Sequence, residues 1–381
     1  MQLVLDEDQE LLAKTAADFV AGQSPVSRVR ALRDARDPLG FSRELWKRMA
    51  ELGWLGIPFP EAYGGAGMGL AELAVVLEAL GRTLAPEPFL STVLLAGEAL
   101  LRGGSEEQRR AWLPRIAAGD AVATLAFQEP GSRYDLLRVA TRAERAGSGW
   151  RLRGQKTQVP DAPAAEALVV PARSAGGEAD ARGITLFLVR AGAPGLRVTP
   201  QTRLDGRSAG LLTLDGVEAA ADDVLGEPEG GGPLLERVVE RASAGLCAEM
   251  LGSMSRVFEM TLEHLKTREQ FGVPIGSFQA LKHRAAQMFI EIELCRSAAL
   301  AAARALDAGD PEAPALVSLA KARCSDAGML VANEAVQMFG GVGMTDEYDV
   351  GFYLKRARAA QMTFGDGDWH RARWARLRGY G

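Results

Sequence analysis

The chain has 381 residues, 47% of them hydrophobic and 24% charged, with 44 Lys and Arg against 49 Asp and Glu for a net charge of −5. A length beyond roughly 250–300 residues asks for more than one core, and the composition is that of a globular enzyme. Charge of both signs is spread along the whole length, which leaves no basic footprint for nucleic acid.

The N-terminus, Met1 to Asp6, lacks the charged-then-apolar order of a signal peptide. No apolar run approaches the ~20 residues that span a bilayer, so a cytoplasmic location is expected.

Residues 1–120 read as helices. Leu11, Leu12, Thr15, Ala16 and Phe19 share one face at helical spacing. Ser42 to Leu52 is a second short helix stopped by Gly53. Leu70 to Gly81 is apolar on nearly all sides, as a buried helix should be. Between them the glycine- and proline-rich run Gly56 to Gly67 reads as turns.

From 121 to 228 the texture changes. Ala121–Phe127, Ala167–Val170, Ile184–Val189 and Leu211–Leu214 suit short strands with turn residues between them, which predicts a small antiparallel barrel or sandwich. Gly226 to Gly232 marks its end. After Pro233 the helical period returns in Leu235, Val238, Val239, Ala242, Leu246 and Met250, on a helix running to about Lys266. Further helices are expected over about 279–308, 314–339 and the last thirty residues. Long helices with short connections predict an antiparallel four-helix bundle over 229–381. The fold class is therefore α+β multidomain: a helical domain, a β-domain and a bundle.

Cys247, Cys295 and Cys324 lie far apart, without metal-ligand spacing, and read as buried, reduced thiols. With three histidines (His264, His283, His370), no metal site is expected.

Two constellations carry chemistry. Thr267-Arg268-Glu269-Gln270-Phe271-Gly272, followed by Pro274 to Gln279, ends a long helix; alone it reads as a helix C-terminus with a solvated charged face. Gln337-Met338-Phe339-Gly340-Gly341-Val342-Gly343 pairs glycines after a helix, which bares backbone N–H groups to a phosphate or a ring, although glycines also simply end helices.

Together, these residues resemble the acyl-CoA dehydrogenase family, and the resemblance extends over the whole chain. Arg268, Phe271 and Gly272 match its R-x-x-F-G, and Gln337, Gly340, Gly341 and Gly343 its Q-x-x-G-G-x-G. It implies FAD as cofactor, an acyl-CoA substrate, electron-transferring flavoprotein as acceptor, and a tetramer of one chain or two. Arg268 would meet the FAD pyrophosphate with its planar fork, and Gln337 and Gly341 would come from a neighbouring subunit. Phe271, Gln279, Gly340, Asp366 and Asp368 are further cofactor positions, the two aspartates on the ribose and adenine side.

The family's T-E-P-x-A-G-S-D appears altered as Gln128-Glu129-Pro130-Gly131-Ser132-Arg133-Tyr134-Asp135. This gives Phe127 and Gln128 the flavin-touching strand end. Gly154-Gln155-Lys156 matches its G-x-K, before the segment that stacks on the isoalloxazine. There, Gln158-Val159-Pro160 replaces the usual Trp-Ile-Thr and leaves Val159 on the ring. Tyr134 and Arg241 are expected beside the substrate.

The reaction needs a base within reach of the substrate α-carbon. The family's usual glutamate position falls on Phe364, which cannot take a proton and is left against the cofactor. Some members, isovaleryl-CoA dehydrogenases among them, place the base before an arginine on the first bundle helix. Glu240-Arg241 falls there, on a face shared with Ala244, Cys247 and Leu251. A glutamate paired with Arg237 or Arg241 is the structural alternative. Asp366-Gly367 reads as a turn, and His370 as a surface or capping residue. Segments around Ala242–Met250, Lys266–Ala280 and Phe364–Asp368 look like subunits of two-gene acyl-CoA dehydrogenases, in which one subunit lacks a base.

Overall fold

The computed structural model describes residues 4–380, which fall into two compact units. One comprises Met1–Ala31, Gly69–Ala85 and Ser243–Gly381; the other comprises Leu32–Met68 and Pro86–Ala242. In chain order the helices before the sheet are α1 (Glu7–Gln23), α2 (Val26–Ala35), α3 (Arg43–Glu51), α4 (Leu70–Arg82), α5 (Glu98–Gly103) and α6 (Glu106–Ala117). Then come β1 (Ala123–Leu125), β2 (Arg142–Ala146), β3 (Gly149–Pro160), β4 (Ala167–Arg173), β5 (Ile184–Arg190), β6 (Leu196–Thr202), β7 (Ser208–Ala219) and β8 (Val224–Leu225). The chain closes with α7 (Gly232–Thr267), β9 (Glu269–Gln270), β10 (Val273–Pro274), α8 (Gln279–Asp307), α9 (Ala313–Phe339), α10 (Val350–Met362) and α11 (Gly367–Leu377). Among the described residues no helix is long and apolar enough to cross a membrane.

The first unit is helical. Asp6 caps α1 by accepting from Gln9 N at 2.9 Å, while the Gln9 side chain accepts from Asp6 N in return. Helix α2 is absent from the expectations because only Val29 on it is buried, so it shows no apolar period. Helix α4 is apolar on most sides because most of it is enclosed, and it crosses α7 backbone to backbone. A Cβ at Gly252 would lie 1.8 Å from Glu78 O, and one at Gly81 would lie 2.0 Å from Glu249 O. Only glycine fits either position. Helices α8, α10 and α11 pack on α9. The bundle thus draws on α7 to α11, because the last thirty residues hold two helices, parted where Phe364 (φ +62°) and Gly365 (φ +117°) turn the chain.

Three-dimensional packing undoes the sequence separation of the cysteines. Cys247, Cys295 and Cys324 are all buried and free, and Cys324 hydrogen-bonds toward both others, which with burial pushes its thiol well up. Such thiols are inert, and no metal-binding cluster occurs among the described residues.

The second unit holds the sheet, ordered β6-β7-β3-β2-β4-β5-β8 with β1 beside β4. The expected antiparallel barrel is corrected on two counts. The order has two ends, β6 and β8, so the sheet is open, and β4 pairs in parallel with β1 and β2. Alternating apolar positions report a buried face but not whether the last strands meet. Its core gathers Leu152, Leu168, Val170, Leu212 and Leu214 around Trp150 and Phe187, whose rings meet edge to face at 5.6 Å.

Candidate functional site

In the helical unit, the hairpin after α7 presents the first group of residues. Strands β9 and β10 pair Gln270 with Val273, leaving Phe271 (φ +55°) and Gly272 (φ +79°) as a two-residue turn. Both are left-handed, as a tight hairpin of this twist requires. Phenylalanine is strained in that conformation, and its ring is nonetheless 93% exposed, edge-on to Phe278 at 6.0 Å. Arg268 and Gln279 are exposed at the hairpin's two ends. The Arg268 carbonyl accepts from Ile275 N at 2.8 Å, which fixes the hairpin's foot.

The second group ends α9. Gln337 is exposed, and its carbonyl accepts from Gly340 N. A methyl group on Gly340 (φ +67°) or Gly341 would meet nothing within 4 Å, so this stretch of backbone stands bare. Phe339 stacks on His264 of α7 at 4.2 Å, which brings the ends of α7 and α9 together. Burial, then the Arg268 charge, lowers the His264 pKa. The third group has Phe364 and Asp366 on the turn between α10 and α11, which Lys321 of α9 grips through Gly365 O, and Asp368 in the first turn of α11. Lys321 and Gln337 stand roughly 24 Å apart along the helix at 1.5 Å per residue. One chain therefore does not bring these two groups together. Asp366 accepts from Trp369 N at 2.9 Å as the N-cap of α11, and Asp368 pairs with Arg371 at 2.5 Å.

In the sheet unit, Phe127 and Gln128 follow β1, both half-buried. The Gln128 carbonyl accepts from Thr157 N at 2.9 Å, joining the two segments expected at the flavin. Beneath them Lys156, fully buried, donates to Glu129 Oε1 at 2.5 Å. Glu129 also accepts from Ala140 N at 2.6 Å and Thr141 N at 3.1 Å. Burial works to raise the Glu129 pKa, but the Lys156 charge and these hydrogen bonds outweigh it and hold it below the usual value. Gln158 (φ +54°) donates its N–H to Gln201 Oε1 at 2.8 Å, and Val159 is buried. Tyr134 is half-buried under the Arg133 guanidinium, 5.3 Å from its ring.

Asp161 follows directly. Its carboxylate meets Ser91 Oγ at 2.5 Å, while Ser91 Oγ donates to Pro88 O at 3.2 Å. Ser91 Oγ is the donor toward both acceptors, so its one proton only partly compensates the buried carboxylate. Burial accordingly raises the Asp161 pKa from 3.8 to about 6. Below pH 3.8 the group is neutral folded and unfolded. The cost grows between pH 3.8 and 6 and is full above. Asp161→Asn is expected to raise stability at pH 7 by about 3 kcal/mol, to leave it unchanged near pH 3, and to remove that slope, as read by denaturant titration across pH.

Glu240 is half-buried on α7. Arg241 beside it is buried and donates to Glu98 Oε1 at 3.0 Å, and Glu98 also accepts from Arg102 Nε at 2.6 Å. The Arg237 Nε donates to Pro233 O. The Glu98–Arg241 pair pins α7 where Glu240 emerges. Nothing in the local sequence signals it, since its members are 143 positions apart. The same is true of Glu129–Lys156 and of Lys321. His370, expected as a surface or capping residue, is buried and faces Phe364 O, because α11 turns that side inward.

The residues present fit FAD. An exposed arginine suits a pyrophosphate, bare glycine backbone suits close approach of a ring or ribose, and an exposed aromatic awaits cover. Profiles described as the acyl-CoA dehydrogenase N-terminal, middle and C-terminal domains match residues 6–120, 124–217 and 231–377. Acyl-CoA dehydrogenase FadE27 of Mycobacterium tuberculosis is 34% identical over 332 residues, 85% of each chain. Mitochondrial isovaleryl-CoA dehydrogenase of Pongo abelii is 30% identical over 369 residues, 95% of this chain and 86% of that one. The crystal structure of the ChsE4-ChsE5 complex from Mycobacterium tuberculosis superposes over 100% of both chains with a TM-score of 0.90 and 32% identity. The chain belongs to the acyl-CoA dehydrogenase family.

Proposed function

We propose that this protein catalyses FAD-dependent α,β-desaturation of an acyl-CoA thioester and passes the electrons to electron-transferring flavoprotein. The observation that carries this reading is the set of cofactor-shaped features on a chain of this family: the bare Gly340–Gly341 backbone, the exposed Arg268 and the exposed Phe271. Bound FAD would supply the acceptor for the β-hydrogen. Glu240 takes the α-proton, standing on a helix that the Glu98–Arg241 pair holds in place. Arg241 acts here through that pair, and Tyr134 lies toward the thioester. Phe127, Gln128, Val159 and Phe364 touch the ring, Phe364 on the side of the acyl group; Arg268, Phe271, Gln279, Gln337, Gly340, Gly341, Asp366 and Asp368 hold the rest.

Incubating the purified flavoprotein with a panel of acyl-CoA thioesters and an artificial electron acceptor tests the function. The expected product is an enoyl-CoA lighter by two hydrogens. A panel returned unchanged by protein that holds FAD would sink it. Phe271→Gly is expected to leave stability within ~1 kcal/mol, since relief of the left-handed strain offsets glycine's entropy. The same variant should lose copurified FAD, read as the flavin-to-protein absorbance ratio.

A second reading is favoured by Phe364 at the family's usual base position, together with likeness to a chain solved as a two-protein complex. Here the chain is one subunit of a heterotetramer and lends Arg268, Gln337 and Gly341 to a composite site. Size exclusion with flavin absorbance separates the two. A homotetramer holding FAD supports the complete enzyme, and FAD uptake only on co-expression with a second subunit supports the heteromer.

A further inference from the structure

The turn between α10 and α11 is gripped from two sides. Lys321 is wholly buried in α9, and its Nζ donates to Gly365 O at 2.7 Å, Ser325 Oγ at 3.0 Å and Gln361 O at 3.2 Å. An ammonium has three donors, and these are three acceptors, none of them an anion. On the other side, burial and then the charges of Lys321 and Arg373 push the His370 pKa down to about 3. The ring is neutral at working pH. A carbonyl only accepts, so Nε2 carries the proton and donates to Phe364 O at 3.2 Å. Its Nδ1 is left buried without a hydrogen-bond partner.

Two successive carbonyls, Phe364 and Gly365, thus each receive a buried donor. Both residues have positive φ, and a Cβ on Gly365 would lie 2.6 Å from the Trp369 ring and 2.9 Å from His370 Nε2. A buried cation whose three acceptors are all neutral, an orphaned imidazole nitrogen and a left-handed phenylalanine are each unfavourable. All three converge on one four-residue turn, which stability alone does not explain.

We propose that Lys321 and His370 clamp the Phe364–Gly365 turn in its left-handed course, and that Lys321 is thereby a positioning residue for the acyl group. This rests on the acyl-CoA reading, in which position 364 faces the reacting carbon and its phenylalanine forms a wall there. The charged and titratable groups around Lys321 are Cys247 on α7, Cys324 and Asp326 on α9, Asp366 in the turn, and His370 and Arg373 on α11. Burial brings Lys321 down to about 8. Above that pH the neutral amine keeps two donors for three acceptors, and the clamp loosens.

Lys321→Met keeps the volume and removes the buried charge, so folding should survive. The holoprotein is compared with the variant by amide hydrogen exchange over residues 361–370. The expected result is exchange at least about tenfold faster in that segment and unchanged in the sheet unit. Among thioesters the wild type oxidises, KM should rise about tenfold or more with FAD content intact, and the wild-type fall in kcat/KM above pH 8 should be absent from the variant. Gly365→Ala, which breaks the same turn, should show the same exchange and KM. Unchanged exchange overturns the clamp. Faster exchange with unchanged KM overturns the positioning role. If no thioester is oxidised by the wild type, the acyl-CoA reading fails and the positioning role with it, while exchange still decides the clamp.

Discussion

Replacing Lys156 with methionine is expected to lower the unfolding free energy by about 3–5 kcal/mol and to give protein without flavin. The reason is what the change leaves behind. Glu129 is buried and ionised, held there by the Lys156 ammonium and by the N–H groups of Ala140 and Thr141. Without Lys156 its charge stays in an apolar setting with only the two amides to support it. The adjoining Gln128–Thr157 hydrogen bond, which ties the two flavin-facing segments, loses its footing. The double variant Lys156→Met with Glu129→Gln should be milder than Lys156→Met alone, since no unpaired charge remains. Denaturant titration and the flavin-to-protein absorbance ratio report both effects. The sign with pH follows from the depressed Glu129 pKa: its contribution is present at neutral pH and is lost as pH falls through the folded value.

Glu240→Gln is expected to slow acyl-CoA-dependent flavin reduction by about 10²–10⁴-fold, the span attached to a positioned general base. FAD content and stability should hardly change, because Glu240 is only half-buried and glutamine keeps its shape. The counterpart Glu98→Gln, two residues removed from the chemistry in role, should act differently. It leaves the buried Arg241 without its carboxylate and lowers stability along with rate.

Legibility in the sequence followed the range of the interaction. Helix α7 was readable because its burial is written at a period of 3.6 residues, and α4 because it is apolar on nearly all sides. Helix α2 was not, since Val29 is its one buried residue. Strands were readable but their closure was not: nothing in β6 or β8 states whether the two edges pair. Cofactor motifs stood out because glycines and an arginine at fixed spacing sit on single loops. The groups that hold those loops, Glu98 with Arg241, Glu129 with Lys156, and Lys321 with His370, couple distant positions and carry no local signal. His370 shows the limit well: a histidine near a helix start looks like a surface cap until α11 packs it inward.

The most direct test is anaerobic mixing of the purified flavoprotein with a panel of acyl-CoA thioesters, following flavin absorbance in a single turnover beside Glu240→Gln. The account predicts that at least one thioester bleaches the wild-type flavin and that the variant, still holding FAD, stays oxidised over the same time. Wild-type flavin that dithionite reduces but no thioester does, or a variant that bleaches at the wild-type rate, would contradict it.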